Sequence, residues 1–186
     1  MKYIEHLNGE IKALLQNRIG CTLVALTAPQ VTLDPLYLRK EYIFPWFSLC
    51  LANNGKREYL NLSLEKRETE SEQEYHRLHI TVSETPSCEK GTYCFVPYDT
   101  RYPAVLMDIG ARITDVNFRI HTTIDNETGE EIEEESTLIL HLDNGVCLHI
   151  HPQFLGDFVT TGYVVLCVKD GEIRTQICCK PRECLK

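Results

Sequence analysis

The stretch that decides the fold is TLILHLDNGVCLHIH, from Thr137 to His151. Apolar residues alternate with other residues on both sides of an Asn144-Gly145 pair, which is the period-two pattern of half-buried β-strands. Asn-Gly between two such runs indicates a hairpin, because both residues adopt positive φ readily. We therefore expect a fold built from antiparallel hairpins.

The length of this turn decides which side chains share a face of the sheet. A three-residue loop, Asp143 to Gly145 with Gly145 left-handed at a bulge, collects the aliphatic side chains on one face, whereas a two-residue loop does so less well. The aliphatic face then consists of Leu138, Leu140, Leu142, Val146, Leu148 and Ile150. The opposite face consists of Ile139, His141, Cys147, His149 and His151. Upstream, the alternation of Val116, Phe118 and Ile120 predicts a strand that continues the aliphatic face.

A second Asn-Gly pair, Asn54-Gly55, predicts a hairpin in the first half of the chain. Here a two-residue turn is favoured, because a three-residue loop would mix apolar with charged side chains on each face. The shared apolar face consists of Phe47, Leu49, Leu51, Leu60, Leu62 and Leu64. Two further strands, 163–168 and 172–178, are expected to form a last hairpin that turns at Asp170-Gly171.

One helix is predicted from Asn8 to Ile19, with Asn8 as its cap and Gly20 as its stop. The predicted fold class is α+β and mainly antiparallel β, a meander or hairpin sheet or a sandwich, with this one N-terminal helix. We expect a single domain over residues 1–186. The two Asn-Gly hairpins leave open two similar halves, 1–96 and 104–186, joined by a crossover at 97–103, although shared turn chemistry explains the resemblance equally well.

The composition is that of one folded domain outside the membrane. The 186 residues, 43% of them apolar, are enough for a hydrophobic core. Residues 1–17 mix charged with apolar side chains, unlike a secretory signal, and the longest apolar runs are too short to cross a bilayer. The nine cysteines are odd in number and lack Cys-x-x-Cys spacing, which favours reduced thiols. We therefore expect a cytoplasmic protein that does not bind membranes.

The net charge of −8 is concentrated in one acidic stretch at 125–135. No comparable basic stripe occurs, so nucleic-acid binding is disfavoured. A basic protein partner fits, because opposite surface charges accelerate encounter. The alternative is a solvated hairpin with no partner. The residues predicted to bind a partner here are Glu131, Glu133, Glu134 and Glu135.

A second candidate contact region is the proline-bounded loop that contains Tyr98, Arg101 and Tyr102. Amphipathic aromatic residues and arginine are typical of binding hot spots. The alternative interpretation is a connection whose tyrosines cover the core.

The histidine-rich face is the sharpest candidate for chemistry. The three-residue loop makes His141 a cross-strand neighbour of Cys147 and leaves His149 and His151 on the same side. Imidazole and thiolate suit zinc or another transition metal, although such residues are also ordinary occupants of a half-exposed strand. No G-x-S-x-G elbow, phosphate-binding loop or cysteine-peptidase signature occurs in the chain. The sequence therefore identifies no reaction.

The run from Ile113 to Pro152, a strand, an acidic hairpin and then LILHLDNGVCLHIHP, resembles small bacterial immunity-type proteins of polymorphic toxin systems. It covers about a fifth of the chain. The resemblance implies a single-domain cytosolic protein that binds and blocks a basic toxin. Our interpretation is a non-enzymatic protein-binding domain without a cofactor. The alternatives are a metal-dependent β-barrel enzyme that uses His141, His149 and His151, and a structural or regulatory subunit.

Overall fold

The computed structural model describes residues 2–28, 32–33, 41–44, 46–68, 74–87, 104–124, 129–154, 162–169 and 174–178. These residues form one helix and twelve strands, and almost all strand pairs are antiparallel. The first elements are β1 (Lys2–Glu5), α1 (Gly9–Gln16), β2 (Thr22–Ala28), β3 (Thr32–Leu33), β4 (Glu41–Phe44), β5 (Phe47–Asn53) and β6 (Lys56–Glu68). They are followed by β7 (Glu74–Ser83), β8 (Ala104–Ile124), β9 (Glu131–Leu142), β10 (Cys147–Phe154), β11 (Gly162–Lys169) and β12 (Arg174–Cys178).

The strands form one open sheet in the order β3-β4-β11-β10-β9-β8-β2-β5-β6-β7. Strand β1 adds to β9 in parallel orientation, and β12 adds to β8. The 21-residue strand β8 joins two sections of the sheet. Its first half pairs with β2 and β12, and its second half pairs with β9.

The two sections pack over each other around a single hydrophobic core. Strand β11 contacts β6, and β10 contacts β7, although neither pair is hydrogen-bonded as neighbours in the sheet. The buried cluster draws on both sections, and its Phe44 and Phe47 rings lie 5.1 Å apart. Full burial of such a side chain contributes about 1.5–3 kcal/mol, so the core supplies most of the stabilisation.

The first predicted hairpin is confirmed with its two-residue turn. Asn53 pairs with Lys56 across Asn54-Gly55, whose φ angles are 49° and 78°. Two consecutive positive φ angles match the right-handed twist of the flanking strands. The predicted apolar residues of β5 and their partners Leu60 and Leu62 are buried in the core.

The second predicted hairpin is confirmed with its three-residue loop. The main-chain N–H of Leu142 donates to the carbonyl of Val146 over 2.9 Å, and Gly145 has a φ of 82°. His141 consequently lies opposite Cys147. All six residues of the aliphatic face are buried in the core. The turn length therefore assigns the faces of β9 and β10 as predicted.

The helix is shorter than predicted. The cap is confirmed, since Oδ1 of Asn8 accepts a hydrogen bond from the N–H of Glu10 over 2.9 Å. The helix ends at Gln16, however, and Ile19 is 45% exposed in the following turn. After Gln16 the chain tightens into a turn, in which the N–H groups of Arg18 and Ile19 donate to the carbonyls of Leu15 and Gln16. The guanidinium of Arg18 pairs with Glu58 on β6 over 2.7 and 2.8 Å.

Two further expectations are wrong. Ile120 was placed on the buried face with Val116 and Phe118, but it is 47% exposed. The core cluster ends near Phe118, and the register of β8 on β9 shifts between Arg119 and Ile120. The last hairpin is also wrong, because β11 has β10 and β4 as neighbours and β12 pairs with β8.

The division into two halves stays a prediction, and the crossover at 97–103 lies outside the described residues. Strands from the two proposed halves alternate in the sheet, since β4 pairs with β11 and β2 pairs with β8. The turn residues Asp170 and Gly171 also lie outside the described residues.

Candidate functional site

The predicted acidic residues lie at the beginning of strand β9 and are divided between its two faces. Glu131, Glu133 and Glu135 share one face, where they lie opposite Ile124, Thr122 and Ile120 of β8. We call these three glutamates the acidic row. Glu134 points to the other face, where it lies opposite His121 of β8. The four glutamates therefore do not form one surface, because a strand directs alternate side chains to opposite sides.

The acidic row is paired with basic side chains from the start of the chain. The ammonium of Lys2 donates to Glu131 over 2.8 Å and lies 2.9 Å from Glu133. Nε2 of His6 lies 3.3 Å from Glu133, and Lys12 of the helix forms an ion pair with Glu135.

These contacts shift the titration of both partners. Hydrogen bonds from Lys2 and then His6 lower the pKa of Glu133. The hydrogen bonds to Glu131 and Glu133 raise the pKa of Lys2. Both groups are therefore charged at neutral pH, and the row carries much less uncompensated charge than its sequence indicates.

Three large apolar side chains are exposed beside the acidic row. Ile4, Ile120 and Ile124 are 62%, 47% and 60% exposed. Ile4 lies opposite Glu133 on one side of β9, whereas Ile120 and Ile124 lie opposite Glu135 and Glu131 on the other side. We call the three isoleucines together with the acidic row the isoleucine face. The exposed isoleucines thus lie on both sides of the acidic row and on the same face of the sheet.

Sequence reasoning missed the isoleucine face because it assigned Ile120 to the core. The alternation of Ile120 and Ile124 shows that they share a side of β8, but it does not show where the second layer of the sheet ends. The pairing of Ile4 with β9 joins residues more than 120 positions apart, and no local pattern predicts it.

The other predicted contact residues, Tyr98, Arg101 and Tyr102, lie outside the described residues. Their role in binding a partner stays a prediction.

The histidine-rich face is formed as predicted on the outer side of the sheet. Its three histidines, His141, His149 and His151, are half-buried, and Cys147 is buried among them. The structure adds Cys167 of β11, which lies opposite His149. Sequence reasoning did not place Cys167 on this face, because the pairing of β10 with β11 depends on the whole sheet.

His151 and Cys167 are in hydrogen-bond contact. Nε2 of His151 lies 3.6 Å from Sγ of Cys167, and Nδ1 lies 3.1 Å from the carbonyl oxygen of Pro152. A carbonyl only accepts hydrogen bonds, so Nδ1 carries the proton and Nε2 accepts from the thiol. The contact gives the buried thiol of Cys167 a hydrogen-bond acceptor in the half-buried His151.

The histidine face does not gather a set of metal ligands. Within the part of the chain that the structure describes, no three histidine, cysteine or carboxylate side chains converge on a common point. Burial lowers the pKa of His149, followed by the positive charges of Arg119 and Lys169. His149 is therefore neutral at pH 7, but the same positive charges also repel a metal cation.

A cavity of about 380 Å³ lies on the outer side of the other section, between β2, β5, β6 and β8. Its polar lining includes Arg57, Tyr59 and Asp108. Burial and the neighbouring Cys50 raise the pKa of Tyr59, so its phenol stays protonated at neutral pH and is no base. Thr27 contributes a buried hydroxyl that has no hydrogen-bond partner among the described residues. The cavity therefore offers polar contacts from Arg57, Tyr59 and Asp108, beside the buried thiol of Cys50.

No helix among the described residues has the length and hydrophobicity needed to cross a membrane. Comparison of the chain with protein family models, with curated proteins and with solved structures gives no match.

Proposed function

We propose that this chain is a non-enzymatic protein-binding domain and that the isoleucine face contacts its partner. The observation that carries this proposal is the exposure of Ile4, Ile120 and Ile124 on one face of three neighbouring strands. Burial of three such side chains against a partner would remove a large apolar area from water. Carboxylates among them would select partners with basic groups at matching positions.

The open edge of β8 supports the same proposal. Pairing with β2 on this side ends at Arg112, and the main chain of Ile113 bonds with Gly20 and Cys21, just before β2. From residue 114 to 124, β8 pairs with β9, and no described strand pairs with its other edge. Unpaired main-chain groups on an exposed edge accept an added strand from another protein. The partner would therefore contact both the edge and the isoleucine face.

The resemblance of residues 113–152 to immunity-type proteins supports a more specific version of the proposal. In that version the partner is a basic toxin, and the chain blocks it by covering its surface. The net charge of −8 favours association with a basic protein. In either version, the contact surface of the partner is an apolar patch bordered by lysine or arginine.

Affinity capture from the native host tests the proposal. The bait is the full chain, compared with an Ile120→Ser and Ile124→Ser double variant. An Ile19→Ser variant is the matched control, because Ile19 is also exposed but lies in the turn after α1. We expect the double variant to bind the captured protein at least about tenfold more weakly, which corresponds to about 1.4 kcal/mol. The control should bind like the wild type.

Equal binding by both variants, with unchanged thermal unfolding, would overturn the isoleucine face as the contact surface. If the bait retains no protein but binds a small molecule and converts it into a product, the protein-binding function would be overturned.

A further inference from the structure

Strand β1 is held on β9 by main-chain pairing, by ion pairs and by the half-buried Tyr3, which lies opposite the buried Ile132. Lys2 to Glu5 pair with Glu131 to Glu134 in parallel register. The contacts of Lys2 and His6 with the acidic row extend this pairing, and the N–H of Leu7 donates to Glu135 over 3.2 Å. The start of the chain thus contacts every member of the acidic row.

Strand β1 contributes little to the hydrophobic core. Ile4, its only aliphatic residue, is largely exposed, and no residue of β1 belongs to the core cluster. Each exposed ion pair contributes little to stability and is screened by salt, so that several contacts of residues 2–7 with the acidic row act together in holding β1. A four-residue strand held in this way can leave its position while the core stays intact.

The edge of β9 that β1 covers presents main-chain hydrogen-bonding groups and the carboxylates of the acidic row. Next to β1, the same edge is occupied by β10, which pairs with Leu138 to His141. Departure of β1 would leave the main-chain groups of residues 131–134 and the acidic row without these partners. An extended segment that runs parallel to β9 and carries basic groups at the positions of Lys2 and His6 would satisfy both.

On the basis of the proposed protein-binding function, we infer that this edge of β9 is a docking site for a basic strand of the partner. In the free chain, β1 occupies this site. The partner's strand displaces β1, including Ile4, and takes over its ion pairs with the acidic row, so that Ile120 and Ile124 of β8 remain as the apolar contacts of the isoleucine face. The start of the chain then acts as a built-in competitor, which lowers the affinity for strands that lack basic groups at these positions.

The test uses full-length protein and a synthetic peptide, KYIEHL, that copies residues 2–7. A Lys2→Gln and His6→Gln double variant weakens the hold of β1, and Lys56→Gln removes an exposed positive charge at a distant turn as the matched control. Hydrogen–deuterium exchange reports the main-chain bonds of residues 131–134. Peptide affinity reports whether the edge accepts another strand.

We expect exchange at residues 131–134 to accelerate at least about tenfold in the double variant and to stay unchanged in the control. The peptide should bind the double variant at least about tenfold more tightly than the wild type, because it meets less competition. A peptide with glutamine in place of its lysine and histidine should not bind.

Unchanged exchange in the double variant would show that these charges do not hold β1. If the peptide bound the wild type and the double variant with equal affinity, it would bind at a site other than the edge of β9 that β1 covers. Both results would overturn the inference. The Ile120→Ser and Ile124→Ser variant keeps β9 and β1, so it should still exchange and bind peptide normally. If it does so and still captures the partner, the proposed contact surface fails while the docking edge stands.

Discussion

The ammonium of Lys2 donates a hydrogen bond to the carboxylate of Glu131 over 2.8 Å, although 129 positions separate these residues in the chain. This contact attaches the start of the chain to the acidic strand. The acidic residues are therefore part of a sheet with partners of their own, and their effect on binding depends on whether those partners stay in place.

The first prediction concerns the pH dependence of Glu133. Its folded-state pKa lies below the ordinary value of 4.5 because Lys2 and His6 donate hydrogen bonds to the charged carboxylate. A lowered folded pKa means that the contribution to stability is fully present above about pH 4.5 and is lost as the pH falls through the folded value. Glu133→Gln should therefore be less stable than wild type at pH 7, and the difference should shrink below pH 4.5. Thermal unfolding of both proteins across this range measures it, and a difference that grows as the pH falls would contradict it.

The second prediction concerns the three-residue loop. Gly145 adopts a φ of 82°, a left-handed conformation that costs a residue with a Cβ about 1–2 kcal/mol. Gly145→Ala should lose roughly that free energy of unfolding in urea. Gly9→Ala is the control, because Gly9 begins the helix without a positive φ and has no neighbouring atom within 4 Å of an added Cβ. Its stability should be unchanged or slightly higher, and equal losses in both variants would contradict the assigned turn.

The third prediction tests the two faces of β10. Leu148 is fully buried in the core, so Leu148→Ala should cost about 2–5 kcal/mol of unfolding free energy. His149 lies next to it on the outer face and is half-buried, so His149→Ala should cost about 1 kcal/mol or less. Chemical denaturation of both variants checks the order. A larger loss for His149→Ala would place the histidine in the core.

The fourth prediction concerns metal content. The histidine face lacks a convergent set of three ligands within the described residues, and the positive charges of Arg119 and Lys169 act on His149. We expect the purified protein to contain well under one equivalent of zinc or nickel per chain, measured by plasma mass spectrometry. A full equivalent that disappears in a His149→Ala and His151→Ala variant would favour the metal-dependent enzyme instead.

Local sequence determined the two hairpins and the faces of their strands. Asn54-Gly55 and Asn144-Gly145 were assigned different loop lengths from the alternation alone, and both assignments are confirmed. A one-residue error in either turn would have moved every aliphatic side chain to solvent. The free energy lost by exposing these side chains is large, so the alternation of apolar and polar residues specifies the register. The cap of the helix at Asn8 was predictable for a similar reason, because capping needs only neighbouring residues.

The tertiary structure alone decided which strands are neighbours and where burial ends. Ile120 continues an apolar alternation, yet it is exposed because the core cluster ends near Phe118. Strand β12 pairs with β8 and not with β11, and β1 reaches an acidic strand far along the chain. Period-two alternation specifies which side chains share a face of one strand, but the edges that pair are chosen by the total burial and hydrogen bonding of the sheet. The sequence therefore determined the aliphatic core face and the position of the acidic stretch. The fold decided that Glu131, Glu133 and Glu135 form a row apart from Glu134, and that this row is paired with the start of the chain and bordered by exposed isoleucines.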